Sequence, residues 1–145
     1  MEFVEYCLKH SIINPDTMIG DTSLFENAIR SSWDDLNNYC GTEDDFLNML
    51  LKYKADVNVK SNGKTPLYIA CSEDGKKGIV QKLLNFKADP NVDEASSSPL
   101  STAVWNKDVK LVSMLLKANS DPNLGEGETF LHKLTYDKNI SMSSL

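Results

Sequence analysis

At 145 residues, 41% hydrophobic and 25% charged, the chain has the size of one domain and enough apolar surface to bury a core. A net charge of −6 argues against a general nucleic-acid binder, which needs a basic face for phosphates, and no apolar run approaches the roughly 20 residues of a membrane span. Three cysteines (Cys7, Cys40, Cys71) follow no framework spacing, and MEFVEYCLKH has acids where a signal peptide needs an apolar stretch. Free thiols in a reducing cytoplasmic or nuclear compartment are therefore expected.

The chain opens on a helical stripe, Phe3, Val4, Cys7 and Leu8, followed by the turn-forming IINPD. GDTSLFENAI comes next, with Leu24 as its apolar anchor. A stretch of mixed character, IRSSWDDLNNYCGTEDD, then leads to a second stripe of Phe46, Leu47, Leu50 and Leu51. ADVN breaks that helix, because Asp and Asn are turn formers. Thr65 before Pro66 reads as a helix start: a hydroxyl caps free N–H groups, and proline suits the first helical position. Leu67, Ala70 and Cys71 form the stripe of this short helix, and Ile79, Val80, Leu83 and Leu84 that of its successor. Ser98–Pro99 repeats the start signal, with Leu100, Ala103 and Val104 behind it, then Leu111, Val112, Leu115 and Leu116. GETFLHKL opens one more copy, and Ile140, Met142 and Leu145 begin a helix that stops short.

These pieces are one unit repeated. LLKYKADVN, LLNFKADPN and LLKANSDPN end at Asn58, Asn91 and Asn123, in steps of 33 and 32 residues. The anchor leucines Leu24, Leu67, Leu100 and Leu131 are spaced 43, 33 and 31 apart. Two short helices and a turn cannot bury their stripes alone, whereas stacked copies share a continuous core. An all-α solenoid of helix-turn-helix units with short hairpin-like turns is the predicted fold.

NGKTPLYIACSEDGKKGIVQKLLNFKADPN resembles an ankyrin repeat in its TPL phrase, its second helix and its turn phrase. SSPLSTAVWNKDVKLVSMLLKANSDPN is similar, and the resemblance covers nearly the whole chain. It implies a single array over residues 1–145: a partial unit at about 1–14, a unit at 15–55 with an insertion near 31–45, units at 56–88 and 89–120, and a partial unit at 121–145. On this reading the chain starts and stops inside a unit, as a segment of a longer array or one with unusual caps would. Lys54, Lys87 and Asn119 stand where the family has the glycine that ends the second helix, and Ser23 stands where the first copy has lost its proline.

A family of this kind meets partners through its turn tips and the exposed face of its first helices. Carried over, the tips are Ser61, Asn62 and Lys64, then Asp93, Glu94 and Ala95, then Glu126 and Glu128. The helix ends are Ser72 and Glu73, Trp105 and Asn106, and Tyr136 and Asp137. Trp105, one residue past the buried stripe, is expected to project into the concave face, where aromatics make hot spots. Acids recur on both rims, with Glu73, Asp74, Asp93, Glu94, Glu126 and Glu128. Lysines gather on the second helices and their lead-in, at Lys76, Lys77, Lys82, Lys107, Lys110 and Lys117. An acidic cup for a partner protein with a basic segment is one reading; a solvated face is the plainer one. The insertion holds Trp33 with Asp34, Asp35, Glu43, Asp44 and Asp45, either as a lengthened helix and solvated loop or as a partner-reaching loop.

Chemistry has little footing. Cys7 and His10 are spaced to share a helix face toward a metal, with Cys40 the one further cysteine in reach, but no second pair exists, so neither metal nor cofactor is expected. His132 takes the family's histidine slot, a structural hydrogen bonder between turns. No nucleophile system or phosphate loop emerges, so the chain is read as no enzyme. Asn58, Asn91 and Asn123 resemble the pattern modified by the asparaginyl hydroxylase of ankyrin proteins, beside their default role as turn formers. The reading is a protein-interaction module that scaffolds a partner without nucleic acid or membrane insertion. The alternative is a regulatory or substrate-recruiting segment of a larger enzyme, ubiquitin-ligase adaptor or channel.

Overall fold

In the computed structural model, residues 2–30, 43–74, 76–91 and 98–122 are described, with backbone only for Glu2, Phe3, Glu43 and Asp44. Helix α1 (Glu2–Lys9) precedes a two-stranded antiparallel hairpin, β1 (Met18–Ile19) and β2 (Thr22–Ser23), paired Met18 with Ser23 and Ile19 with Thr22. Three helix pairs follow: α2 (Leu24–Arg30) with α3 (Glu43–Lys52), α4 (Pro66–Ser72) with α5 (Lys77–Asn85), and α6 (Pro99–Trp105) with α7 (Val109–Lys117). The two helices of each pair pack on each other, and first helices stack on first helices, α2 on α4 and α4 on α6. We number the pairs units 1 to 3.

Each first helix begins on a hydroxyl. Thr65 Oγ1 accepts the Tyr68 N–H at 3.3 Å and Ser98 Oγ the Ser101 N–H at 3.1 Å, each before the expected proline. In unit 1 the same cap is Ser23, whose Oγ accepts the Glu26 N–H at 3.1 Å. This corrects the sequence alignment by one residue. Ser23 is the cap rather than a replaced proline, Leu24 fills the proline slot half-buried, and Phe25, fully buried, is the anchor equivalent to Leu67. A hydroxyl followed by two apolar residues cannot be registered from sequence; the cap hydrogen bond registers it.

The second helices end alike. Lys54, Lys87 and Asn119 have φ of 60°, 68° and 63°, the left-handed conformation that glycine adopts freely. Around them Lys54 N–H bonds to the Leu51 carbonyl at 3.1 Å and Ala55 N–H to Leu50 at 3.0 Å. The same two bonds recur at Lys87 and Ala88 and at Asn119 and Ser120. Ser11 closes α1 in the same way at φ 55°. The helix-ending glycine of the family is thus replaced in residue type but kept in geometry.

The stripes read from sequence line one core: Leu8, Leu47, Leu50, Leu67, Ala70, Val80, Leu83, Leu100, Ala103 and Leu115 are all buried in it. Leu116 departs from its stripe and is largely exposed, while Ile69, outside the predicted stripe, is buried. Glu43, Asp44 and Asp45 form the first residues of α3 and not a loop, where acids favour the positive end of the helix. The rest of the insertion, Trp33, Asp34 and Asp35 included, lies outside the described residues.

Candidate interaction surface

The turns between units are tied by a ladder of side-chain acceptors. Asn58 Oδ1 accepts the Asp89 N–H at 2.9 Å, and Asn91 Oδ1 accepts the Asp121 N–H at 2.8 Å. Within each turn the Asp orders the Asn: Asp56 Oδ1 accepts the Asn58 N–H and Asp89 Oδ1 the Asn91 N–H, both at 2.9 Å. Asn91 Nδ2 also donates to the Asn119 carbonyl at 3.0 Å. The degenerate IINPD joins the ladder with the two residue types exchanged. Asn14 Oδ1 accepts the Asp16 N–H at 2.9 Å, and Asp16 Oδ1 accepts the Asp56 N–H at 2.7 Å. This ladder holds the tips at a fixed pitch.

The tip of unit 2 is a tight turn in which Ser61 and Lys64 exchange backbone hydrogen bonds of 2.9 and 3.0 Å across Asn62 and Gly63, both at positive φ. Asn62 is exposed, as a contact residue must be, and Lys64 lies 4.8 Å over the Tyr68 ring. Ser61 is not a tip contact: it is buried and turned toward unit 1. Its Oγ accepts the Ser23 N–H at 3.0 Å and donates to the Glu26 carboxylate, with the Asp21 carbonyl 3.0 Å away. Glu26, three residues after its cap, stands where the family has its histidine and takes over that bridging between turns. Arg30 Nε lies 3.2 Å from Glu26 and 3.8 Å from Glu73, so the ion pair runs from unit 1 into unit 2. Sequence reading missed Glu26, although its position after a serine cap carried the signal.

Arg30, Ser72 and Trp105 each sit seven residues after a cap, at the ends of α2, α4 and α6. They form one column across the stacked first helices. Trp105 is 69% exposed, the largest value among the described large apolar side chains, and Ser72 and Asn106 are also exposed. A small recess between the loops after α4 and α6 is lined by Glu73, Asp74, Lys76, Asn106 and Asp108. Asp108 caps α7, accepting the Leu111 N–H at 3.1 Å, and pairs with Lys77 at 2.7 Å across units. Burial pushes the Asp108 carboxyl up, but Lys77 and the backbone N–H groups of Leu111 and Lys110 outweigh it and hold it below the ordinary value. Among the described residues the structure therefore brings Ser72, Glu73, Trp105 and Asn106 together beside a cation, Arg30. Asp93, Glu94, Ala95, Glu126, Glu128, Tyr136, Asp137, Asn123 and His132 lie outside them, as does Cys40.

Cys7 and His10 do not share a face: Cys7 is buried, while the exposed His10 ring packs at 4.2 Å on Tyr6. Among the described residues no group of three or more His, Cys, Asp or Glu could hold a metal, and no helix is long and apolar enough to cross a membrane.

Stacked helix pairs with laddered turns and an exposed first-helix column define a helical-repeat protein that acts through a surface. A family model described as ankyrin repeats (3 copies) matches residues 37–126, and the chain belongs to the ankyrin-repeat family. Such repeats are in general modules of protein–protein interaction. No curated protein matches the chain in sequence.

Proposed function

We propose that the column of Arg30, Ser72 and Trp105, with Glu73 and Asn106 beside it, is the centre of a preformed cup that binds a partner protein through a basic segment. The observation that carries this reading is the exposure of Trp105 at the end of α6, held by a helix whose other apolar residues are packed in the core. A tryptophan fixed on a rigid element offers a large contact area at low ordering cost, the usual basis of a hot spot. Glu73 and Asp74 are the adjacent acids, and an arginine or lysine of the partner would stack on the indole while facing them. The loop acids at Asp93, Glu94, Glu126 and Glu128, with Tyr136 and Trp33, extend the same surface in this proposal. Cys7 and Cys71 are free thiols, which supports an intracellular setting. Hydroxylation of Asn58, Asn91 and Asn123 belongs to the same proposal, and a one-oxygen mass increment on the corresponding peptides is its check.

The test is fluorescence anisotropy with a labelled arginine-rich peptide against wild type and Trp105→Ala. Salt-sensitive binding that drops at least about tenfold in the variant, with the thermal midpoint unchanged, is the expected result. Equal binding by the variant, or equal binding of a glutamate-rich peptide, would sink the basic-segment reading.

A further inference from the structure

The stack leaves one place where a second helix has no first helix beside it. α3, α5 and α7 each pack on the first helix of their own unit, α2, α4 and α6. Among the described residues, α1 has none before it in the chain. The residues around that place are exposed and apolar: Tyr6 is 55%, Ile12 64% and Ile19 60% exposed, with Met18 beside Ile19 in β1. The same slots one unit later are covered. Counted back from the helix-ending left-handed residue, Tyr6 corresponds to Met49, and Ile12, the residue after that position, to Ala55; both Met49 and Ala55 are buried.

Ile19 identifies what does the covering. It pairs with Thr22, the residue before the Ser23 cap, as Ser61 pairs with Lys64, the residue before the Thr65 cap. Ile19 therefore occupies the slot of Ser61, and Ser61 is buried by Ser23 and Glu26 at the start of the preceding first helix, α2. The side chains that await cover beside α1 are thus those that a first-type helix covers elsewhere in this molecule.

We infer that the face formed by Tyr6, Ile12, Met18 and Ile19 is a second docking surface, and that its occupant is a short amphipathic helix of a partner protein seated in the manner of α2 and α4. The matching chemistry is visible in α4 and α6: a hydroxyl cap, then apolar or small residues two, five and six positions on, as in Leu67, Ala70 and Cys71. A folded second copy of this chain cannot supply such a helix from units 1 to 3, because the apolar residues of α2, α4 and α6 are already buried in its own stack. The surface is independent of the Trp105 cup.

The probe is a labelled peptide of the chain's own first-helix sequence, residues 96–108 (SSSPLSTAVWNKD), titrated with the full chain. Saturable binding that gains helical circular dichroism is expected, with the affinity falling at least about tenfold for the double substitution Tyr6→Lys and Ile19→Lys and staying within about twofold for Trp105→Ala. Both lysines replace exposed side chains, and an unchanged melting curve verifies the fold of the variant. The inference is overturned if the peptide fails to saturate, if a scrambled peptide binds equally, or if the double variant binds as wild type does. It is also overturned if sedimentation finds the face occupied by a second copy, as a concentration-dependent dimer that the same double substitution dissolves.

Discussion

Units 1 and 2 perform the same structural tasks with different chemistry. Unit 2 starts its first helix on Thr65–Pro66 and buries Leu67; unit 1 starts on Ser23–Leu24 and buries Phe25. Unit 2 presents a half-buried Tyr68 three residues after its cap, whereas unit 1 buries the carboxylate of Glu26 there and ties it to Ser61 and Arg30. The comparison teaches that the repeat conserves roles at slots. A slot that requires a hydrogen-bonding side chain between neighbouring tips accepts any residue that reaches the next tip and is fully paired once buried.

The largest break in that comparison comes from the anchors. Phe25→Ala should cost about 3–5 kcal/mol of unfolding free energy and Leu24→Ala less than about 1.5 kcal/mol, read from urea melts. The opposite order would return the anchor role to Leu24. Next comes Glu26→Ala, expected to cost about 2–3 kcal/mol, because it strips Ser61 and Arg30 of their buried partner. Tyr68→Ala at the matching slot of unit 2 should cost less, and equal losses would show that the bridge between turns adds nothing to unit 1.

A smaller effect joins units 2 and 3. Asp108→Ala removes a helix cap and the Lys77 pair, for about 1–2 kcal/mol. Its carboxyl is held below the ordinary 3.8, so the folded state keeps the charged form longer than the unfolded chain does. That contribution is fully present above the unfolded value and is lost as pH falls through the lower folded one. In acid titration from pH 3.8 downward the wild type should therefore lose stability that Asp108→Ala does not; parallel curves would remove Asp108 from the account. The smallest expected effect has the opposite sign. Lys54→Gly and Lys87→Gly relieve a left-handed non-glycine residue and should each stabilise by about 0.5–1 kcal/mol in thermal melts. Destabilisation by either would mean that the lysine stem contributes packing that outweighs the strain.

Much of this was legible because it is local. The hydroxyl–proline starts at Thr65 and Ser98, the left-handed stops at Lys54, Lys87 and Asn119, and the apolar stripes all act within a few residues of chain, where backbone sterics and capping geometry rule. Ser72, Glu73, Trp105 and Asn106 of the candidate surface followed from the same register. What escaped was which neighbour each slot faces. Ser61 read as a tip residue, and the stack turned it inward; Glu26 read as one more surface acid, and the stack buried it. Asp16 and Asn14 read as a decayed turn, yet they bridge to Asp56 with exchanged roles, because the ladder needs an oxygen at one place and is indifferent to whether an amide or a carboxylate carries it.

The amino-acid order alone determined the period of the repeat, the helix ends and the stripes that must be buried, since these follow from chain stiffness, hydrogen bonding between near neighbours and apolar spacing. Only the tertiary stack decided that Phe25 and not Leu24 is the anchor, that Glu26 bridges two units, that Trp105 stays in solvent, and that Tyr6, Ile12 and Ile19 are left uncovered. Burial and pairing across units depend on residues some 30 to 40 positions apart meeting in space, and that meeting exists only once the units are stacked.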